Sequence, residues 1–148
     1  MKHALIIVLI ATGASFCTRP YQIDPPRDFV VFDREADFKA ISADGVRIKA
    51  RELPNNPKGD LDLWTRTILL QLENQGYTVD KQERIKPATG QAGRLIASHY
   101  LIRNVKYAYW TAIFVRGETL RLIESAAPAE DFARHESAIR RSLAGLRY

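Results

Sequence analysis

The chain has 148 residues, 46% of them hydrophobic and 26% charged, with a formal net charge of +5. Its single cysteine excludes an internal disulfide and a cysteine-based zinc site. The basic residues are interleaved with acids rather than gathered in a block, the pattern of a solvated surface and not of a nucleic-acid binder.

From the amino end, Lys2 precedes an apolar run, Ala4-Leu5-Ile6-Ile7-Val8-Leu9-Ile10-Ala11, and Thr12-Gly13-Ala14-Ser15 supplies small residues. That is the layout of a bacterial export signal, and the run is too short to span a bilayer. Cys17 follows after Phe16, where signal cleavage would leave its thiol at a new amino terminus for acylation, as in a lipoprotein. Phe16 departs from the small residue usual before such a cysteine, so ordinary secretion, with cleavage after Gly13, Ala14 or Ser15, is the rival reading. An unpaired thiol in an oxidising compartment is a liability, which favours acylation. The expected organisation is a signal peptide over residues 1–16, a lipidated tether over 17–28 rich in proline (Pro20, Pro25, Pro26), and one folded domain over 29–148. Thr18 stands where an aspartate would resemble an inner-membrane retention signal, so the expected address is the outer membrane, facing periplasm or surface. Without acylation the protein would be a soluble periplasmic or secreted one.

About 130 residues remain after residue 16, enough for one domain with a core of its own. Phe29-Val30-Val31-Phe32 reads as a first short strand. The runs Phe38 to Ser42 and Val46 to Arg51 flank Asp44-Gly45, a hairpin signal. In the second run Val46, Ile48 and Ala50 alternate with Arg47, Lys49 and Arg51, so a basic row occupies one face and Lys39 is its candidate neighbour. A loop over Pro54–Gly59 precedes a helix capped by Asp60, striped by Leu61, Trp64, Ile68 and Leu72, and ended by Gly76. A strand from Tyr77 runs into the charged stretch Lys81–Lys86, an edge pattern. Three closely spaced apolar strands, Arg94–Ile102, Tyr107–Val115 and Thr119–Ser125, predict a meander. Tyr107–Val115 is apolar on both faces, which marks a strand covered on both sides. Pro128 starts a last helix with Glu130 and Asp131 in its first turn and Phe132, Ile139, Leu143 and Leu146 as its stripe. The expected fold is α+β: a twisted, mainly antiparallel sheet sandwiched between helices.

The Gly59-Asp60-Leu61 to Trp64 opening of the middle helix, its Leu72 to Gly76-Tyr77 exit, the Tyr109 to Glu118 strand and turn, and the closing Phe132, Ile139 and Ser142-Leu143 resemble the PsbP-like superfamily. That resemblance implies the α-β-α sandwich found in photosystem extrinsic subunits and in a Ran-binding nuclear import factor. It also implies an assembly or partner-binding module without a catalytic centre, and it carries over no functional residues.

The residues themselves offer little chemistry. No Gly-x-Ser-x-Gly elbow, phosphate-binding glycine loop or HExxH helix is present. His99 and His135 read as packed or partly exposed histidines, Asp60 and Asp62 as capping acids, and Ser98, Ser125 and Ser142 have no base beside them in sequence. No catalytic, metal or cofactor residue is assigned. The site candidates are Cys17 for lipidation and Arg47, Lys49 and Arg51 for a protein partner in the cell envelope, with Tyr107, Tyr109 and Trp110 as an aromatic cluster explained by core packing. The leading function is therefore a non-catalytic envelope lipoprotein that docks a protein. The alternatives are a carrier or sensor of a small ligand held between sheet and helix near Trp64 and Trp110, and a hydrolase whose site is assembled only in space.

Overall fold

The computed structural model describes residues 22–32 and 37–147. Strands β1 (Phe29–Phe32), β2 (Phe38–Ser42) and β3 (Arg47–Pro54) are followed by helix α1 (Leu61–Asn74). Strands β4 (Thr78–Ile85), β5 (Gly93–Ile102), β6 (Val105–Arg116) and β7 (Thr119–Pro128) then lead into helix α2 (Ala129–Ala144). The strands form one seven-stranded sheet in the order β1-β2-β3-β7-β6-β5-β4. Every neighbouring pair is antiparallel. The α+β sandwich expected from the alternation of strands and helices is the fold observed.

Local chemistry explains the boundaries. The Asp60 side chain accepts from the Leu63 N–H at 2.7 Å and caps α1, and Gly76, at φ 84°, supplies the left-handed turn that releases the chain into β4. The β5–β6 turn is tight, with Arg103 and Asn104 at φ 48° and 66°, the two-residue geometry that matches strand twist. Strand β7 runs three residues further than the hydrophobic pattern suggests, because Ala126, Ala127 and Pro128 continue the ladder with Tyr109, Ala108 and Tyr107.

Each face of the sheet has its own apolar layer. On one, α2 lays Phe132, Ile139 and Leu143 over Ala40, Ile48, Ala50, Leu95, Trp110, Ala112, Phe114 and Ile123. On the other, α1 lays Ile68 and Leu72 over Ile96, Ile113, Leu120 and Leu122. The two tryptophans therefore lie on opposite sides of the sheet. Trp110 is buried against Phe132, with ring centroids 4.9 Å apart, and carries the Arg140 guanidinium 4.5 Å over its ring. Trp64 is only half-buried, and its Nε1–H donates to Asn55 Oδ1 at 2.6 Å. A pocket shared by both, the carrier geometry, is incompatible with this placement.

The folded body begins earlier than the tether boundary at residue 28. Gln22 exchanges backbone hydrogen bonds with Arg147 (2.8 and 2.9 Å), Ile23 is buried, and Asp24 pairs with Arg147 at 2.9 Å. These contacts make residues 22–28, with Pro25 and Pro26, a docked strap rather than a free spacer. Residues 1–16, the expected export signal, and Cys17 lie outside the described residues.

Candidate docking face

The period of two along each strand assigns every side chain to a face, and the strand register lines those side chains up in rows across the sheet. On the α1 side one row reads Ser98, Tyr109, Ala126, Arg47, Ile41, Val30. The next reads Ile96, Thr111, Glu124, Lys49, Lys39, Phe32. Helix α1 crosses only the corner built from β4, β5 and β6, reaching β7 at Leu120 and Leu122. Glu124 onward, together with β3, β2 and β1, has no helix over it among the described residues.

The predicted basic row sits on this uncovered half. Arg47 is exposed, whereas Lys49 pairs with Asp37 at 3.2 Å and Arg51 with Glu124 at 3.2 Å. The alternation that set these three apart from buried Val46, Ile48 and Ala50 is the one observed. What the alternation could not show is that two of the three cations already have carboxylate partners. Lys39 stands directly opposite Lys49 in the register, as β2 and β3 pair.

The aromatic cluster divides. Trp110 points to the α2 side, while Tyr107 and Tyr109 point to the α1 side, where they join Tyr77 and Tyr100. Tyr77 lies 4.9 Å from both Tyr100 and Tyr109, and Tyr100 stacks on Tyr107 at 5.4 Å. All four rings are half-buried. The Tyr109 hydroxyl donates to Glu124 Oε1 at 2.6 Å, and burial, followed by that carboxylate, pushes its pKa well above the ordinary phenol value. Tyr77 is raised for the same reason, burial first and then its neighbours Tyr100 and Glu124. These phenols stay protonated and present donors and ring faces to whatever approaches. Tyr77, Tyr100 and Glu124 were missed from sequence, because Tyr77 lies between elements and Glu124 sits inside an otherwise apolar strand. Reading Tyr107 and Tyr109 against Trp110 by parity would have separated the two sides.

A second polar cluster lies on the α2 side. Buried His135 places Nε2 3.0 Å from Asp44 and Nδ1 3.2 Å from Asp28, with Phe29 edge-on to its ring at 5.3 Å. Ser42 Oγ donates to Asp44 at 2.5 Å and accepts from the Val46 N–H at 2.9 Å. Serine, histidine and carboxylates thus meet in space, but in an order unsuited to nucleophilic catalysis. The serine proton goes to a carboxylate rather than to the imidazole, and both imidazole nitrogens face carboxylates. The cluster ties the strap before β1, the β2–β3 turn and α2 together. The Ser42 hydroxyl, then His135, hold the Asp44 carboxyl well below the usual range. His99 is half-buried beside Asp80 at 2.9 Å, Ser98 donates to the Tyr109 carbonyl at 2.8 Å, and Asp62 pairs with Arg94 at 3.1 Å. Each is accounted for by a local partner.

Clefts occur at the periphery. One of about 240 Å³ is lined by Glu52, Gln91, Phe114 and Arg121, and one of about 410 Å³ lies between Asp24–Asp28 and the last turns of α2. Among the described residues no group of histidine, cysteine and carboxylate side chains is arranged to hold a metal ion, and no helix is long and apolar enough to cross a membrane.

No family model and no curated protein matches the chain. Solved structures do. Cyanobacterial PsbP (CyanoP) from Synechocystis sp. PCC 6803 superposes with a TM-score of 0.58 at 13% identity, covering 86% of this chain and 85% of its own. The Ran-binding protein Mog1p of Saccharomyces cerevisiae gives 0.61 at 10% identity, with 86% and 89% covered. LpqN of Mycobacterium tuberculosis, described as involved in cell envelope biogenesis, gives 0.58 at 12% identity, with 80% and 77% covered. The fold is PsbP-like, as the helix and turn positions had implied.

Proposed function

We propose that the protein is a non-catalytic docking or assembly module of the bacterial cell envelope, held at the membrane by a lipid on Cys17. One observation carries the docking reading: half of one sheet face is left without a helix, bears a row of cations, and is bordered by the half-buried tyrosines of β6. Arg47, Lys49 and Arg51 form that row, flanked by Tyr107 and Tyr109 on one side and by exposed Val30 and Phe32 on the other. Aromatic rings beside cations form the composition from which protein interfaces draw their anchors. The net sign of the row selects an acidic partner. Mog1p is a Ran-binding protein and LpqN acts in envelope biogenesis, so this fold serves partner binding and an envelope setting elsewhere.

The test is reversal of charge where it leaves the fold alone. Arg47→Glu with Lys49→Glu keeps the Arg51–Glu124 pair, which stays as scaffold beneath Tyr109. In cells, a photo-cross-linking residue on this face should give a discrete adduct with an envelope protein that the double reversal removes. Binding should weaken with salt, because exposed charges are screened over about 10 Å at 0.1 M. An adduct that survives the double reversal refutes the face. Separately, Cys17→Ser should abolish lipid labelling; a mature protein starting at Ala14, Ser15 or Phe16 refutes the anchor.

A further inference from the structure

The β5–β6 hairpin overhangs the sheet. Pairing with β4 reaches only Thr78 opposite His99, and pairing with β7 ends at Pro128 opposite Tyr107. The segment from Leu101 to Lys106 therefore has no neighbouring strand on either outer side, and all six residues are exposed. Its apolar side chains lie open, Leu101 at 66%, Ile102 at 45% and Val105 at 48%. Arg103 and Lys106 flank them, and neither makes an ion pair among the described residues. No acid occurs between Tyr100 and Tyr107, which stack on each other just behind the tip.

We propose that this tip inserts into the headgroup region of an anionic lipid surface. The order of chemistry along the projection fits a bilayer interface: Arg103 and Asn104 at the turn, the aliphatic Ile102, Val105 and Leu101 with Lys106 directly behind, and then a pair of tyrosines at the depth where aromatic belts form. The cations match anionic phosphate headgroups. Size separates this reading from protein docking, since the exposed apolar area of three side chains is a few hundred Å², below the roughly 1,000 Å² of a specific protein interface. Shallow insertion by about 5–10 Å needs no larger area. The two-residue turn at Arg103-Asn104 presents the tip in a defined hairpin geometry, which lowers the ordering cost of insertion. The inference depends neither on the docking face nor on acylation.

The test uses the chain from residue 18 onward, which lacks the apolar leader but keeps the whole sheet and both helices. That chain has no cysteine, so Val105→Cys accepts a polarity-sensitive fluorophore at the tip, and Glu73→Cys places the same label on exposed α1 as a control. Vesicles of three parts phosphatidylethanolamine to one part phosphatidylglycerol should sediment the protein and blue-shift the tip label alone. Pure phosphatidylcholine should do neither. Leu101→Asp with Ile102→Asp should lower vesicle binding by at least about tenfold. Far-UV circular dichroism would establish that this exposed variant still folds. Arg103→Glu with Lys106→Glu should remove the preference for anionic lipid. The proposal is overturned by no sedimentation, by sedimentation without a shift at position 105 (binding through other surface cations), or by unchanged binding of the aspartate variant.

Discussion

Asn55 is the perturbation that most directly tests how the two layers of this fold are joined. It is 4% exposed and its side chain makes four hydrogen bonds. Nδ2 donates to the Gly59 carbonyl at 3.0 Å and the Gly117 carbonyl at 2.9 Å, while Oδ1 accepts from the Gly59 N–H at 3.0 Å and Trp64 Nε1 at 2.6 Å. The end of β3, the entry to α1 and the β6–β7 turn are fastened through one amide. Asn55→Ala removes all four bonds, and at about 1 kcal/mol net each the loss is about 4 kcal/mol. Against a total stability of roughly 5–15 kcal/mol this lowers Tm by roughly 12–20 °C. Asn55→Asp is the sharper probe. A carboxylate keeps both accepted bonds but turns an oxygen towards two carbonyls that can only accept. Burial and this repulsion raise the new carboxyl above its unfolded value of about 3.9, so the deficit is full above the folded pKa and shrinks as pH falls through it. Urea titrations followed by far-UV circular dichroism, with variant and wild type compared at each pH, measure both effects. An alanine variant within about 1 kcal/mol of wild type, or an aspartate deficit that does not shrink in acid, would show that water replaces the amide and refute the fastening.

The tryptophans should differ: Trp110→Ala should cost about 3–5 kcal/mol in urea denaturation because the ring is buried against Phe132, whereas half-buried Trp64→Ala should cost less than half as much. Gly93→Ala would place a methyl group 2.6 Å or less from the Phe114 ring and 2.9 Å from the Ile113 carbonyl, so it should destabilise by about 1–3 kcal/mol by overpacking, read as a drop in the thermal midpoint. Asp44 has a depressed carboxyl, so its support of the β2–β3 turn is present above the ordinary carboxylate pKa and withdrawn as pH falls through the folded value. The stability gap between wild type and Asp44→Asn, measured by urea midpoints with Asp28, Asp131 and Arg134 intact around it, should therefore narrow in acid.

Much of the architecture was legible because it rests on short-range rules. The Asp60 cap, the Gly76 exit, the Asp44-Gly45 turn and the alternation in β3 each follow from neighbours in sequence, and the α+β order follows from them. The candidate face was legible only in part. Parity separated Arg47, Lys49 and Arg51 from the core, yet register, a property of paired strands, decides that Glu124 lies opposite Lys49 and that Tyr109 lies one row away. Trp64 reads as core from its helical spacing, but its position at the first turns of α1, near the end of the sheet, leaves it half-solvated with its nitrogen committed to Asn55. His135 shows the same limit. Its place beside Phe132 and Ile139 reads as a packed or partly exposed histidine, while its two carboxylates come from residues more than ninety positions earlier.

Why one half of the sheet stays open follows from the same register. The row Glu124, Lys49, Lys39 crosses three neighbouring strands. An apolar helix laid across it would take three charged side chains out of water, a desolvation cost that packing contacts do not offset. Helix α1 is therefore confined to the corner where Ile96, Ile113, Leu120 and Leu122 supply an apolar floor. The central strands, meanwhile, gain most of their cover from α2 on the other side, through Phe132, Ile139 and Leu143. Stability and exposure are thereby assigned to different parts of one sheet: the face over β7, β3 and β2 can hold charges for a partner, beside the tyrosines of β6, because the fold does not depend on covering it.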